Sequence, residues 1–194
     1  MINFIKNFKN SNMKTVQLHD KTFELFIPQE KIEKRIDVLS QMIIKDLGDT
    51  NPVFISVLNG AFMFTSEIVR RFPYNCEVDF LKISSYVGTT SSGNVNMTTN
   101  SIKASLTNRN IIVLEDIIDT GLTIKSLLND LSKYDPKKIY IATLLFKPEV
   151  FKFKNEIDIN YVGFDISNEF VVGYGLDYDG LGRNLLDIYK LNQI

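Results

Sequence analysis

The sequence has few of the residues that cross-link a fold or bind transition metals. Its 194 residues include one cysteine, Cys76, one histidine, His19, and no tryptophan. A single cysteine cannot form an internal disulfide, so the composition favours a reducing compartment and predicts a cytoplasmic protein. A single histidine cannot by itself build a metal cluster or a Ser–His–Asp triad, which argues against histidine-dependent hydrolysis.

Strong charge and long apolar runs are also absent. The formal net charge is −1, whereas nucleic-acid-binding domains usually carry a clear basic excess, so we expect no nucleic-acid partner. No run approaches the roughly 20 apolar residues that a membrane helix needs, so we expect no membrane partner. The length and the 44% share of hydrophobic residues predict a single globular domain over residues 1–194.

The first fourteen residues contain lysines and no acidic residue. A secretory signal would need an apolar segment of about 7–15 residues, but asparagine or lysine interrupts this segment repeatedly. We therefore expect residues 1–14 to form a loosely ordered leader.

Hydrophobic spacing predicts an α/β domain. Apolar residues recur at helical intervals in residues 29–47, between residues 64 and 72, and after Gly121. Short apolar runs predict strands at residues 53–58, 78–83, 111–114, 138–146 and 161–164. Strands that alternate with helices indicate a mostly parallel sheet, and ligands bind such sheets beyond the carboxyl ends of the strands.

Residues 84–101 form a long polar segment between two predicted strands. Fourteen of these eighteen residues are Ser, Thr, Gly or Asn, and none is charged. A long loop inside a compact domain is often an active-site lid, so we interpret it as a mobile active-site loop. The alternative is a polar hairpin on the surface.

The sequence EDIIDTGLT, residues 115–123, follows the strand predicted at residues 111–114. Glu115 and Asp116 offer only acceptors, which suit sugar hydroxyls or a metal held through water. Gly121 and the first N–H groups of the next helix suit a phosphate. The combination favours a sugar phosphate. The alternative is that Asp119 or Thr120 caps the helix and that both acids are solvated.

IIVLEDIIDTGLT resembles the phosphoribosyl-pyrophosphate (PRPP) motif of the type I phosphoribosyltransferases, in the form typical of the hypoxanthine-guanine (6-oxopurine) branch. VLNGAFMF resembles that family's pyrophosphate loop, ISSY the start of its mobile loop, LLFKP its base-recognition strand, and FVVGYGLDYDGLGRNL its C-terminal signature. The resemblance implies a twisted, mostly parallel sheet flanked by helices, with a small hood formed by the chain termini. It also implies homodimers or homotetramers.

The implied reaction is purine salvage, in which PRPP and a purine base give IMP or GMP and pyrophosphate. By the resemblance, Glu115 and Asp116 hold the ribose 2′ and 3′ hydroxyls, and Asp119 is the general base facing N7. The 5′-phosphate is cradled by Asp119, Thr120, Gly121, Leu122 and Thr123.

The resemblance also assigns the base and metal sites. Lys147 donates to the 6-oxo group, Phe170 stacks on the purine, and Val171 offers backbone groups to the base edge. Asp177 binds the cofactor Mg²⁺, with Glu115 and Asp116 as further metal ligands, and Arg183 clamps pyrophosphate. By its position alone, before Pro148, Lys147 is better explained as a surface residue, and the resemblance reverses this preference.

The pyrophosphate loop is implied to be Leu58, Asn59 and Gly60, and Ser85 and Tyr86 begin the mobile loop. Asn59 is a departure, because many relatives carry lysine there, and the family can form a cis peptide at this place. Three alternatives stay open. They are a receiver-like signalling domain, an RNA-binding regulator with the same fold, and an adenine- or pyrimidine-specific branch. The sequence does not choose among hypoxanthine, guanine and xanthine.

Overall fold

The computed structural model describes residues 14–82 and 102–192. Residues 1–13 of the leader predicted over residues 1–14, and the polar segment with Ser85 and Tyr86, lie outside the described residues. The elements follow in chain order as β1 (Thr15–Leu18), β2 (Lys21–Ile27), α1 (Gln29–Leu47), β3 (Val53–Leu58), α2 (Phe62–Val69), β4 (Glu77–Lys82), β5 (Asn110–Ile118), α3 (Leu122–Leu131), β6 (Lys138–Phe146), β7 (Tyr161–Asp165), β8 (Val171–Val172) and β9 (Ile188–Leu191).

Five parallel strands form the central sheet in the order β4-β3-β5-β6-β7. Its middle strands are apolar on both faces, since successive side chains of a strand point in opposite directions and helices cover both sides. Phe54, Ile112 and Leu114 pack with the buried faces of α1 and α2. Ile55, Ile111 and Val113 pack with α3 on the other face. The predicted parallel α/β architecture is confirmed.

A second sheet joins the two ends of the chain. Strands β1 and β2 from the N-terminal side pair antiparallel with β9, which also pairs with β8, in the order β1-β2-β9-β8. This sheet is the predicted hood. Asp187 ties it to the central layer, because its Oδ1 accepts a hydrogen bond of 2.7 Å from the backbone N–H of Gln29. A carboxylate is favoured at that place by the positive end of α1.

Two predicted boundaries differ from the structure by more than one residue. The strand predicted to end at Leu114 continues to Ile118, since Ile117 pairs with Leu145 and Ile118 with Phe146. The second helix ends at Val69 rather than at Phe72. Beyond Val69 the chain tightens, since the N–H groups of Arg71 and Phe72 donate to the carbonyls of Ile68 and Val69, three residues back. No helix within residues 14–82 and 102–192 is long and apolar enough to cross a membrane.

Candidate active site

Four connections meet at the carboxyl edge of the central sheet. They follow β3, β5, β6 and β7, which are consecutive neighbours in the sheet. The connections begin at Asn59, Asp119, Lys147 and Ile166 respectively. All four contain residues predicted from the sequence, since Phe170 lies in the connection after β7, so the order of strands explains why these residues converge.

The acidic pair lies at the end of the central strand β5. Glu115 is only 6% exposed, and its Oε2 is buried without a hydrogen-bond partner among the described residues. Burial first, and the nearby Asp116 second, raise the pKa of Glu115 well above its ordinary value. A buried acceptor without a partner costs free energy, so this oxygen is poised for a ligand that donates. The alternative in which Glu115 is solvated is wrong.

Asp116 lies one residue further along β5. Its Oδ1 accepts a hydrogen bond of 2.9 Å from the N–H of Ile117. Burial raises the pKa of Asp116 to about 6, and this rise is opposed by backbone hydrogen bonds and by Arg183. Both members of the pair therefore hold protons more tightly than free carboxyl groups do.

The turn between β5 and α3 is a set of backbone donors. The helix N-cap is Gly121 with φ +83°, and no side chain forms a capping hydrogen bond. The alternative in which Asp119 or Thr120 caps the helix is therefore wrong, and the first N–H groups of α3 have no side-chain acceptor. Only glycine fits at position 121, since a Cβ there would lie 2.3 Å from a ring carbon of Phe151.

Lys147 is buried at the end of β6 and contacts the predicted general base. Its side chain is 8% exposed, and Nζ lies 3.0 Å from Oδ2 of Asp119, whose side chain is 48% exposed. The backbone N–H of Lys147 also donates to the carbonyl of Ile118 at 3.0 Å. The interpretation of Lys147 as a surface residue is therefore wrong.

Phe170 lies just before β8 and carries a half-exposed ring. The ring centroid lies 6.1 Å from that of Phe23 and 5.8 Å from that of Tyr178, with the latter pair at 88°. Two aromatic neighbours from the hood thus fix the orientation of a ring that remains accessible. Val171, the next residue, is buried in β8.

Asp177 and Arg183 form an ion pair in the loop between β8 and β9. Nη2 of Arg183 lies 2.7 Å from Oδ1 of Asp177, and its Nη1 donates to the carbonyl of Gly175 at 2.7 Å. Oδ2 of Asp177 accepts from the N–H of Gly180 at 2.7 Å. The charges of both side chains also act on the pKa of Asp116, which Arg183 lowers and Asp177 raises.

The turn after β3 touches Asp116. The peptide bond Leu58–Asn59 is cis. A Cβ on Gly60 would lie 1.5 Å from Oδ2 of Asp116, and a Cβ on Gly175 would lie 2.1 Å from the carbonyl oxygen of Gly60. The two glycines thus allow the β3 turn to fit between the acidic pair and the loop that carries Arg183.

A family model described as a phosphoribosyl transferase domain matches residues 27–179. The hypoxanthine-guanine-xanthine phosphoribosyltransferase of Tritrichomonas foetus is 38% identical over 157 residues, which cover 81% of this chain and 85% of that protein. The chain belongs to the hypoxanthine-guanine phosphoribosyltransferase family. The Mycobacterium avium hypoxanthine-guanine phosphoribosyltransferase is 36% identical, with 87% of this chain and 85% of that protein covered.

Solved structures of this family superpose on the chain. The crystal structure of a hypoxanthine-guanine phosphoribosyltransferase from Bacillus anthracis gives a TM-score of 0.79 at 35% identity, with 88% of this chain and 97% of that one covered. A Staphylococcus aureus hypoxanthine phosphoribosyltransferase gives 0.80 at 36%, covering 87% and 91%. The predicted family, fold and enzyme class are confirmed, and the receiver-like alternative is wrong.

The acidic pair of this phosphoribosyltransferase makes its stability depend on pH. The folded state keeps the Asp116 proton up to about pH 6, and the ordinary pKa is 3.8, so stability falls as the pH rises through this window. The pKa rise corresponds to about 3 kcal/mol. We expect Asp116→Asn to be more stable than wild type at pH 7 by up to about this amount, and equally stable near pH 4.

Urea unfolding at both pH values, without metal or nucleotide, measures this effect. Asp158→Asn, at an exposed aspartate, is the matched control. A stability difference between Asp116→Asn and wild type that is the same at both pH values would contradict the burial effect.

A magnesium site would need oxygen donors from the acids of this phosphoribosyltransferase. Within residues 14–82 and 102–192, no three His, Cys, Asp or Glu side chains are grouped as a metal site, so Glu115, Asp116 and Asp177 do not form a preassembled cage. Mg²⁺ usually takes one or two carboxylates and completes its shell with water and phosphate oxygens. The donor set therefore fits a cation that arrives with pyrophosphate.

Sequence reasoning missed one residue of the site. Oδ1 of Asn168, in the loop after β7, lies 3.1 Å from Nζ of Lys147. A Ser-Asn pair in a polar connection is ordinary, so the sequence offered no signal for this contact. The contact follows instead from the fold, because β7 neighbours β6 in the sheet and the loop after β7 therefore lies near Lys147.

Proposed function

We propose that this enzyme transfers the 5-phosphoribosyl group of PRPP to a 6-oxopurine, hypoxanthine and guanine, and releases pyrophosphate in purine salvage. The proposal rests on the arrangement of acceptors and donors at the end of β5. A buried acceptor at Glu115 and a partly buried one at Asp116 are followed within a few residues by the donor turn at Gly121. Hydroxyl groups and a phosphate, both present in PRPP, match these two surfaces in that order.

The reaction breaks the bond from ribose C1 to pyrophosphate and forms a bond from C1 to the purine. The transition state resembles an oxocarbenium ion, so the protein's work is to hold the ribose, stabilise the leaving group and accept one proton. Asp119 is the proposed general base. Its carboxylate is half exposed and lies 3.0 Å from Lys147. It is therefore accessible to a purine and can accept a proton from it.

Lys147 supplies the proposed preference for a 6-oxopurine. A buried ammonium donates to a carbonyl oxygen, whereas the 6-amino group of adenine would present donors to a donor. Phe170 would stack on the purine ring, since its ring is half exposed and held from behind. Val171 would offer backbone groups to the base edge.

The leaving pyrophosphate would be held by Arg183 and by the turn at Leu58, Asn59 and Gly60. With asparagine at position 59, backbone groups rather than a side-chain charge do this work in the turn. Asp177 would bind Mg²⁺ directly, with Glu115 and Asp116 through water. When bound, the cation would neutralise the charge that develops on pyrophosphate.

Nucleotide synthesis tests the proposed function. The protein is incubated with Mg²⁺, PRPP and, in separate reactions, hypoxanthine, guanine, xanthine or adenine, and product is followed by absorbance. We expect IMP and GMP to form and adenine to be a poor substrate. The absence of nucleotide with every 6-oxopurine would overturn the proposal.

Lys147→Met should weaken use of the base selectively. The substitution keeps the length of the side chain and removes one charged hydrogen bond to the 6-oxo group, so we expect KM for hypoxanthine to rise about 10- to 100-fold. KM for PRPP should stay within about twofold, because the ribose and phosphate contacts lie on β5. Lys154→Met, at an exposed lysine, is the control. An unchanged KM for hypoxanthine would remove the role of Lys147.

We also propose that the enzyme is a cytoplasmic homodimer or homotetramer, without nucleic-acid or membrane partners. The single cysteine supports the compartment and the near-zero net charge argues against a nucleic-acid partner, while the proposed oligomer rests on the resemblance to the family. Light scattering coupled to size exclusion measures the mass in solution, and a monomer would contradict it.

A further inference from the structure

The Lys147 ammonium is held by two loops from neighbouring strands. A buried ammonium must be hydrogen-bonded, since its desolvation is otherwise costly. Among the described residues its partners are Oδ2 of Asp119 at 3.0 Å, after β5, and Oδ1 of Asn168 at 3.1 Å, after β7. An ammonium has three donors, so these two contacts leave one for a ligand.

The loop that carries Asn168 is anchored on both sides. The N–H of Ile166 donates to the carbonyl of Phe146 at 2.8 Å, which ties the start of the loop to β6. The N–H of Leu191 donates to the carbonyl of Phe170 at 2.8 Å, which ties its end to β9. The backbone of the loop is therefore held at both ends, and this keeps Asn168 within reach of the Lys147 ammonium.

The two partners of Lys147 differ in charge and in role. The Asp119 carboxylate has to turn to the purine when it accepts a proton, so its contact with Lys147 is shared or lost during the reaction. Asn168 is neutral and has no part in proton transfer. Its carbonyl oxygen can therefore keep the ammonium in place while the contact with Asp119 is shared or lost.

We propose that Asn168 is a positioning residue that aims Lys147 at the 6-oxo group of the purine. This inference rests on the proposed function. Because Asn168 is exposed, its truncation removes one hydrogen bond without opening the core. We expect Asn168→Ala to raise KM for hypoxanthine about tenfold, with kcat and KM for PRPP changed less than about twofold. Asn168→Asp, which keeps an acceptor at the same position, should recover most of the loss.

A double-mutant cycle separates positioning from a general structural effect. If Asn168 acts through Lys147, then Asn168→Ala should have no further effect on KM for hypoxanthine in a Lys147→Met background. Ser167→Ala, in the same exposed loop, is the matched control and should behave as wild type. Melting temperatures of all variants establish that they are folded.

Each measurement either supports the role of Asn168 or overturns it. Additive effects in the cycle, an unchanged KM for hypoxanthine in Asn168→Ala, equal rises in KM for base and PRPP, or no recovery in Asn168→Asp would overturn the inference. An active wild-type enzyme combined with any of these results leaves the proposed function intact. A wild type that makes no nucleotide from hypoxanthine would overturn the proposed function and this inference with it.

Discussion

Asp119→Asn should lower kcat by about 10²- to 10⁴-fold, the usual contribution of a general acid or base. Asparagine has nearly the same shape, and its Oδ1 can still accept from Lys147, which lies 3.0 Å from the native carboxylate. The substitution therefore removes proton acceptance and leaves the geometry largely unchanged. The affinity for PRPP should change less than about threefold, because the phosphate is held by backbone donors of the turn.

Steady-state kcat, with PRPP binding measured by calorimetry, checks this expectation. Single-turnover measurements show whether chemistry or product release limits the rate in each variant. Asp158→Asn serves again as the exposed control. Equal losses of turnover and of PRPP affinity would show that Asp119 belongs to the phosphate turn and is no base.

Gly60→Ala should lower kcat/KM for PRPP by at least about 100-fold, since a displacement of about 1 Å can have this effect on catalysis. A Cβ at this position would lie 1.5 Å from Oδ2 of Asp116. Either the carboxylate rotates away from the ribose or the turn after β3 moves away from the pyrophosphate. Both movements displace groups that PRPP needs, and neither affects Lys147 or the base.

A double variant distinguishes this clash from general damage. Asp116→Ala removes the carboxylate that the new methyl group would meet, so Gly60→Ala should cost little more in the Asp116→Ala background. The measurements are kcat/KM for PRPP and the melting temperature of each variant. Fully additive losses would contradict the proposed clash.

The regular elements could be predicted because their patterns are local. The helix predicted at residues 29–47 and the strand at residues 53–58 have the bounds that the structure shows. Each is specified by the spacing of its own apolar residues. Strands β1 and β2 were missed. Strand β2 pairs with β9 from the other end of the chain, whereas β1 pairs only with β2 across a short turn.

The predicted end of β5 failed for a reason tied to function. Two consecutive acids normally indicate a solvated loop, but Glu115 and Asp116 belong to a strand and are held there by its pairing with β6. Local rules tend to fail at sites where a protein accepts a cost in stability for activity. The raised pKa values of both acids reflect this cost.

The composition of the site could be predicted in part, and its contacts could not. The resemblance identified Lys147 and Asp119, yet their hydrogen bond depends on the adjacency of β5 and β6. Gly60, in the turn after β3, lies close to Asp116 of β5, although the two residues are far apart in sequence. Such pairs follow from the order of strands in the sheet, which a single sequence does not specify.

Five residues of the candidate active site come from one stretch of chain after β7. Asn168, Phe170, Val171, Asp177 and Arg183 all lie in the connection from β7 through β8 towards β9, whereas the acids and the donor turn belong to β5. This stretch carries the proposed stacking ring and the proposed pyrophosphate and metal residues, whereas Lys147, the proposed donor to the 6-oxo group, precedes it at the end of β6. Exchange of this stretch between homologues would therefore change the surface around the purine and the pyrophosphate while the acids, the donor turn and Lys147 stay in place.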